Sequence, residues 1–239
     1  MLAFSLIFDS HFHLNEENSC FVPSGYNGII SCSSREEWNA AEKFSLPKTF
    51  GIHPWEPDIK KLDFLELLLK QDKITGTGEC GFDFYTDELK KTEAAQKECW
   101  NAQLSLALEY KKPLVIHSRK SYSRILEDSA LLSKLPAVCF HGYSGSREQA
   151  QEILRKIPEA FFSFGTVLLR NPRKAFEAFR SIPYTHILLE TDASGTSFLA
   201  DVYEKAWDCI SDKNDFDSIE SFAGQILQNS AIFVGKNHL

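Results

Sequence analysis

Two histidines stand two apart near the start of the chain, in Asp9-Ser10-His11-Phe12-His13. On an extended backbone, side chains two apart share one side, so both imidazoles can face a single point and supply half of a metal site. The competing reading is two ordinary polar residues in a loop. Further groups of the same chemistry follow: His53 in Gly51-Ile52-His53-Pro54, Glu79 in Gly78-Glu79-Cys80-Gly81-Phe82-Asp83, His117 before Ser118 and Arg119, His141, and Asp192 in Glu190-Thr191-Asp192. Each has a plain structural explanation alone: a hydrogen-bonded histidine, a carboxylate held by backbone amides, a helix N-cap at Asp192. Together, four histidines and two carboxylates can hold two divalent ions if one carboxylate bridges them. Two ions about 3.5–4 Å apart activate a water and stabilise the attacking and leaving oxygens of a displacement. An aspartate at the end of the last strand can bind one ion and take the proton from that water.

The elements that must position these groups are short apolar runs alternating with helical segments. The runs are Phe4 to Phe8, Gly28 to Cys32, Lys48 to Ile52, Ile74 to Glu79, Leu114 to Ile116, Ala137 to Phe140, Phe161 to Phe164 and Ile187 to Leu189. Most are apolar at consecutive positions, as in strands buried on both faces of a parallel sheet. Helices are predicted over Arg35–Phe44, Leu62–Leu69, Thr92–Tyr110, Tyr122–Leu132, Arg147–Lys156, Pro172–Phe179, Leu199–Ile210 and Ile219–Phe233. In Thr92–Tyr110 the residues Ala95, Cys99, Ala102 and Leu106 share a face. A doubly wound open sheet has the same alternation. The expected fold is a single-domain (β/α)8 TIM barrel, because the chemical residues cluster at strand C-terminal ends, and in a barrel all those ends share one face. Five of the seven histidines belong to this set; His186 and His238 are expected at the surface.

Composition narrows the function classes. The 239 residues are 43% hydrophobic and carry a net charge of −7, which argues against a surface that coats nucleic acid but not against local grip on a few phosphates. The six cysteines are scattered without a Cys-x-x-Cys, and are expected as reduced thiols. No apolar run reaches membrane-spanning length and the N-terminal run is too short for a signal segment, so a cytoplasmic, monomeric protein is expected.

The motifs in order resemble the TatD-type metal-dependent hydrolases, within the amidohydrolase-like barrels. The resemblance rests on Phe8-Asp9-Ser10-His11-Phe12-His13-Leu14, Gly51-Ile52-His53-Pro54, Gly78 to Tyr85, Val115 to Arg119, Phe140 to Gly145 and Leu188 to Asp192. It implies that His11, His13, Glu79 and Asp192 hold one metal ion. It implies that Glu79 bridges to a second ion held by His117 and His141, with Asp192 as general base. The ions would be Mg, Mn or Zn. Related barrels often bridge with a carboxylated lysine; here a glutamate stands in that place. Asp9 is expected to orient a ligand histidine. Pro54 biases His53 to an extended backbone, and His53 is read as a substrate-phosphate contact or a structural residue, not a ligand. Arg119 can bind phosphate bidentately or form a structural ion pair. Ser144 precedes the helix at Arg147, where free amides favour anions, although N-capping by Ser146 explains the same residues. Trp55 and Tyr85 can stack a base or simply pack.

The run after Asp192 (Ala193-Ser194-Gly195-Thr196-Ser197) departs from the family pattern, and no arginine follows Arg180. This leaves the metal chemistry intact and the substrate open. The leading expectation is a deoxyribonuclease trimming a DNA end or single strand. The alternatives are hydrolysis of a carboxylic ester or amide, as in a D-aminoacyl-tRNA deacylase or a lactonase, and a catalytically retired interaction protein.

Overall fold

The computed structural model describes residues 4–14, 22–170, 173–193 and 198–235. Eight parallel strands lie in sequence order: β1 (Asp9–His13), β2 (Gly28–Cys32), β3 (Lys48–Phe50), β4 (Gly76–Asp83), β5 (Leu114–Arg119), β6 (Val138–Phe140), β7 (Ala160–Phe164) and β8 (Ile187–Leu189). Just past β8, the Asp192 N–H donates to the His11 carbonyl (3.0 Å) and the His13 N–H to the Ala193 carbonyl (3.1 Å), which joins the last strand to the first. Helices lie between the strands along the chain. The expected (β/α)8 barrel is the fold.

Alternation along each strand sorts side chains into two layers. Ile30, Leu114, Ile116, Val138, Phe140, Phe162, Ile187 and Leu189 belong to the large core shared with the helices. Their neighbours Ile29, Val115, Cys139, Phe161 and Leu188 form a separate cluster with Phe233 and Val234 of the C-terminal helix Ile219–Val234. Two residues beyond Val115, Cys139 and Leu188 stand His117, His141 and Glu190. The period of two therefore carries these groups from the floor of the barrel to its C-terminal mouth.

Several boundaries differ from the sequence reading. The apolar run Phe4 to Phe8 is not β1: Phe4–Leu6 is a 3-10 turn, and the strand is Asp9–His13 itself. Phe8 instead joins the floor cluster. Strand β4 runs on to Asp83 and β5 to Arg119, so these polar residues are within strands rather than after them. The segment Tyr122 to Leu132 breaks into two short helices, Tyr122–Leu126 and Ser129–Leu132, where Asp128 accepts the Trp100 indole N–H at 2.8 Å. His186 is half-buried, its Nδ1 lying 2.8 Å from the Ala160 carbonyl, and is not a surface residue. His238, Cys20, Pro172 and Ser194 to Ser197 lie outside the described residues. The other five cysteines are buried and free. No helix among the described residues is long and apolar enough to cross a membrane.

Candidate metal centre

Glu79 lies at the middle of β4 and is buried. Its Oε2 lies 3.1 Å from His11 Nε2 and 3.7 Å from His13 Nε2. Its Oε1 lies 3.0 Å from His117 Nδ1, 2.7 Å from His141 Nε2 and 3.1 Å from His53 Nε2. Asp192 Oδ1 lies 3.6 Å from His13 Nε2 and 3.9 Å from His11 Nε2. One carboxylate thus has imidazoles on both oxygens, with a second carboxylate beside the His11–His13 pair. Its close approach depends on glycine: a Cβ at Gly51 would meet the backbone of Gly78 and Glu79, and one at Gly81 the His117 carbonyl. Asp192 takes φ +50°, a left-handed conformation that a non-glycine residue holds at some cost.

The protonation pattern tests whether a cation fits. Asp83 Oδ2 lies 3.0 Å from His117 Nε2 and accepts the Trp55 indole N–H at 2.8 Å, and Asp83 Oδ1 accepts the Tyr85 backbone N–H at 2.8 Å. Burial pushes Asp83 up, but these hydrogen bonds outweigh it and hold its carboxyl at about 2. The ionised Asp83 therefore holds a proton of His117 on Nε2 and turns Nδ1 towards Glu79, the face a metal ion would use in place of a proton. Burial also raises Glu79, yet the charges of His141 and His11 and hydrogen bonds from His11 and His117 hold it well below the carboxylate range. His141 is pushed down by burial and, more strongly, up by Glu79 and Glu190, to well above the imidazole range. Nitrogen–nitrogen approaches of 3.2 Å (His11 Nε2 to His13 Nε2) and 3.3 Å (His141 Nε2 to His117 Nδ1) crowd these ring nitrogens too closely for each to carry a proton at once. A divalent cation satisfies such a set; protons can serve only part of it.

His53 stands in the same cluster but differs in kind. Its Nδ1 accepts the Trp55 backbone N–H at 3.1 Å, so in the neutral ring the proton is on Nε2, pointing at Glu79. Burial lowers its pKa. With Glu79 and His117, His53 also forms a group whose ligand atoms lie close enough together to hold a metal ion.

A family profile described as TatD related DNase matches residues 8–197. The chain belongs to the TatD-related DNase family. Among its relatives, the metal-dependent hydrolase YabD of Bacillus subtilis is 31% identical over 78% of this chain and 80% of its own length. A protein of Klebsiella pneumoniae named 3'-5' ssDNA/RNA exonuclease TatD is 31% identical over 61% of this chain. That match spans 56% of the exonuclease's length, little more than half. The structure of YjjV, a TatD homolog of Escherichia coli, superposes with a TM-score of 0.79 at 20% identity, covering 97% of this chain and 98% of the other. A TatD family hydrolase of Entamoeba histolytica gives 0.78 at 17% identity over 95% and 97%.

Other residues predicted around this TatD-type centre fall in different places. Asp9 does not touch an imidazole. Its carboxylate accepts from Tyr26 Oη (2.7 Å), Thr191 Oγ1 (2.6 Å), Thr191 N (3.0 Å) and the His11 backbone N–H (3.2 Å). It clamps β1 to the segment after β8, and burial lifts its carboxyl to about 7. Arg119 lies over the Tyr85 ring (4.7 Å to the centroid) and pairs with no carboxylate among the described residues, so the ion-pair reading fails. Ser144 is exposed, and the following helix Arg147–Lys156 is closed by a capping box: Ser146 Oγ accepts from Gln149 N and Gln149 Oε1 from Ser146 N. Trp55 and Tyr85 are 59% and 56% exposed at the mouth, Trp55 edge-on to His53 and His117 and Tyr85 under Arg119 and Lys120.

Sequence reasoning missed the residues behind the centre. Gln96 and Gln103, one heptad apart on the buried face of Glu93–Glu109, pair with Asp83 and Ile52. Each glutamine accepts a backbone N–H (2.9 and 2.7 Å) and donates to the carbonyl of the same residue (3.3 and 3.1 Å). Two glutamines seven apart on an otherwise apolar face were the available signal. Glu190 was quoted only as motif: its Oε1 accepts the Gly142 N–H at 2.7 Å and lies 3.6 Å from His141 Nδ1.

Proposed function

We propose that this chain is a divalent-metal-dependent phosphodiesterase that removes nucleotides from the end of a single-stranded nucleic acid. The observation that carries the reading is the convergence of His11, His13, His117 and His141 on the two oxygens of Glu79, with Asp192 beside the His11–His13 pair. His11, His13, Glu79 and Asp192 would hold one ion; Glu79, His117 and His141 a second, with Mg, Mn and Zn as candidates. Such a pair, when bound, lowers the pKa of a water and offsets charge on the leaving oxygen.

The chain's own residues do the rest. Asp192, its side chain 44% exposed beside the histidine pair, accepts the proton from the attacking water. Burial raises it, but the hydrogen bond with His13 and the charges of His141 and His11 keep its carboxyl below the usual range, so it is ready as a base at neutral pH. His53 donates Nε2–H towards a phosphoryl oxygen. Arg119, which pairs with no carboxylate among the described residues, supplies a cation at the mouth. Buried free cysteines support a reducing, cytoplasmic setting. The names of the exonuclease relatives support single-stranded DNA or RNA as substrate.

The test is incubation of metal-stripped protein with 3′-labelled and 5′-labelled single-stranded oligonucleotides, with Mg²⁺, Mn²⁺ or Zn²⁺ restored and Asp192→Asn as control. Metal-dependent loss of the 3′ label first, abolished in the variant, is expected. Two ions bound per chain without cleavage by any metal overturns the phosphodiesterase and directs the search to carboxylic esters and amides.

A further inference from the structure

Two cavities flank the metal centre, and His117, Arg119, His141 and Asp192 line both. The first, about 420 Å³, carries the exposed face of Trp55 and the carboxylates Glu37 and Glu56; its Lys61 is paired with Glu56 at 3.3 Å. The second, about 350 Å³, is walled by Ser118, Ser144, Thr166, Arg119 and Arg170. Neither arginine pairs with a carboxylate among the described residues. Two carboxylates, Glu190 and Asp192, also reach this second cavity, against the two arginines. Glu190 is fully buried and takes the Gly142 N–H, and Asp192 faces the histidine pair. Gly165 sets the wall close to them: a Cβ there would lie 2.8 Å from the Glu190 carbonyl.

The two cavities therefore differ in what they accept. Arg119 serves both, but a phosphodiester meets Glu37 and Glu56 in the first cavity and Arg170 with the hydroxyls of Ser118, Ser144 and Thr166 in the second. A neutral nucleobase gains from the indole face of the first.

Resting on the phosphodiesterase reading above, we propose that the second cavity is a phosphate subsite. Arg170 and Arg119 there hold the phosphate on the 5′ side of the penultimate nucleotide, while the terminal base lies in the first cavity against Trp55. Arg170 is a specificity-determining residue in this arrangement. It tells a continuing strand from an isolated phosphodiester. The scissile phosphate then sits between the cavities, at the residues that line both.

The shortest substrates separate these terms. The metal-loaded protein is given the thymidine dinucleotides d(TpT), d(pTpT) and d(TpTp), and kcat/KM is compared between wild type and Arg170→Gln. In parallel, binding of the 5′-phosphorylated and unphosphorylated dinucleotides with a non-cleavable methylphosphonate linkage is measured. Wild type is expected to prefer the 5′-phosphorylated form about ten- to hundredfold in both assays, the range for a charge-assisted pair. In Arg170→Gln that ratio falls by about threefold or more, with Arg119 keeping the remainder. Equal use of d(TpT) and d(pTpT) by wild type, a ratio unchanged in the variant, or a preference for d(TpTp) each overturns the subsite. Absence of cleavage of every dinucleotide and of longer strands overturns the phosphodiesterase reading instead, and the binding ratio still decides the subsite.

Discussion

Asp83→Asn is the sharpest test of how the centre is tuned. Asp83 receives three N–H groups: His117 and Trp55 at Oδ2 (3.0 and 2.8 Å) and Tyr85 at Oδ1 (2.8 Å). An asparagine has one acceptor oxygen. If that oxygen faces His117 and Trp55, its amide group opposes the Tyr85 N–H. If it is flipped, the amide opposes two donors. The first orientation costs less. It loses one backbone bond and replaces an ionic acceptor of His117 by a neutral one, which is about half as strong. With hydrogen bonds to charged groups worth about 1.5–3 kcal/mol, the sum is about 2–4 kcal/mol; part of it is felt equally with and without metal, which leaves about 1–3 kcal/mol on metal affinity. That corresponds to roughly ten- to hundredfold in affinity, the range seen when partners of ligand histidines are removed. The loss falls on the His117 side alone, because His11 and His13 do not touch Asp83. Competition against a chromophoric chelator, read as two successive ions per chain, is the assay. The weaker-held ion of the variant is expected at about 10–100 times the wild-type dissociation constant and the other within about threefold. If both ions bind Asp83→Asn as tightly as wild type, while His117→Ala loses one, the claim that Asp83 fixes the tautomer of His117 is wrong.

Three other outcomes follow from the same geometry. Trp55→Phe keeps the ring but removes the indole N–H, so it should weaken the His117-side ion less than Asp83→Asn does, by about threefold to tenfold in the chelator assay. Adding a divalent ion at about 100 times its dissociation constant should stabilise the fold by about 2.7 kcal/mol, which for a chain of this size raises Tm by roughly 5–10 °C in a scan of metal-stripped protein. Gln103→Leu leaves the Ile52 N–H and carbonyl without their side-chain partner. It should lower stability by about 2–4 kcal/mol in denaturant titration and reduce turnover, because His53 follows Ile52 directly.

The sequence by itself pointed to the barrel and to Glu79 with the five candidate groups His11, His13, His117, His141 and Asp192. Consecutive apolar runs mark strands buried on both faces, and the strand period of two carries His117, His141 and Glu190 to the mouth directly above Val115, Cys139 and Leu188. Tertiary structure decided what those groups lean on. Asp9 reads in sequence as a partner for a neighbouring histidine. Its burial beside Tyr26 and Thr191, which is 182 residues away, makes it the clamp of the barrel seam. Strand β1 begins at Asp9 rather than at the apolar run because that run is used by the floor of the barrel, where Phe8 packs with Phe233 and Val234. The spacing of Gln96 and Gln103 is visible in the chain, but what they and Asp83 bond is not, since their partners come from other elements and hydrogen bonds leave no periodicity. The two cavities could be separated only in three dimensions: Trp55 follows β3, Ser144 follows β6 and Arg170 follows β7, and nothing but barrel closure brings the three around one centre.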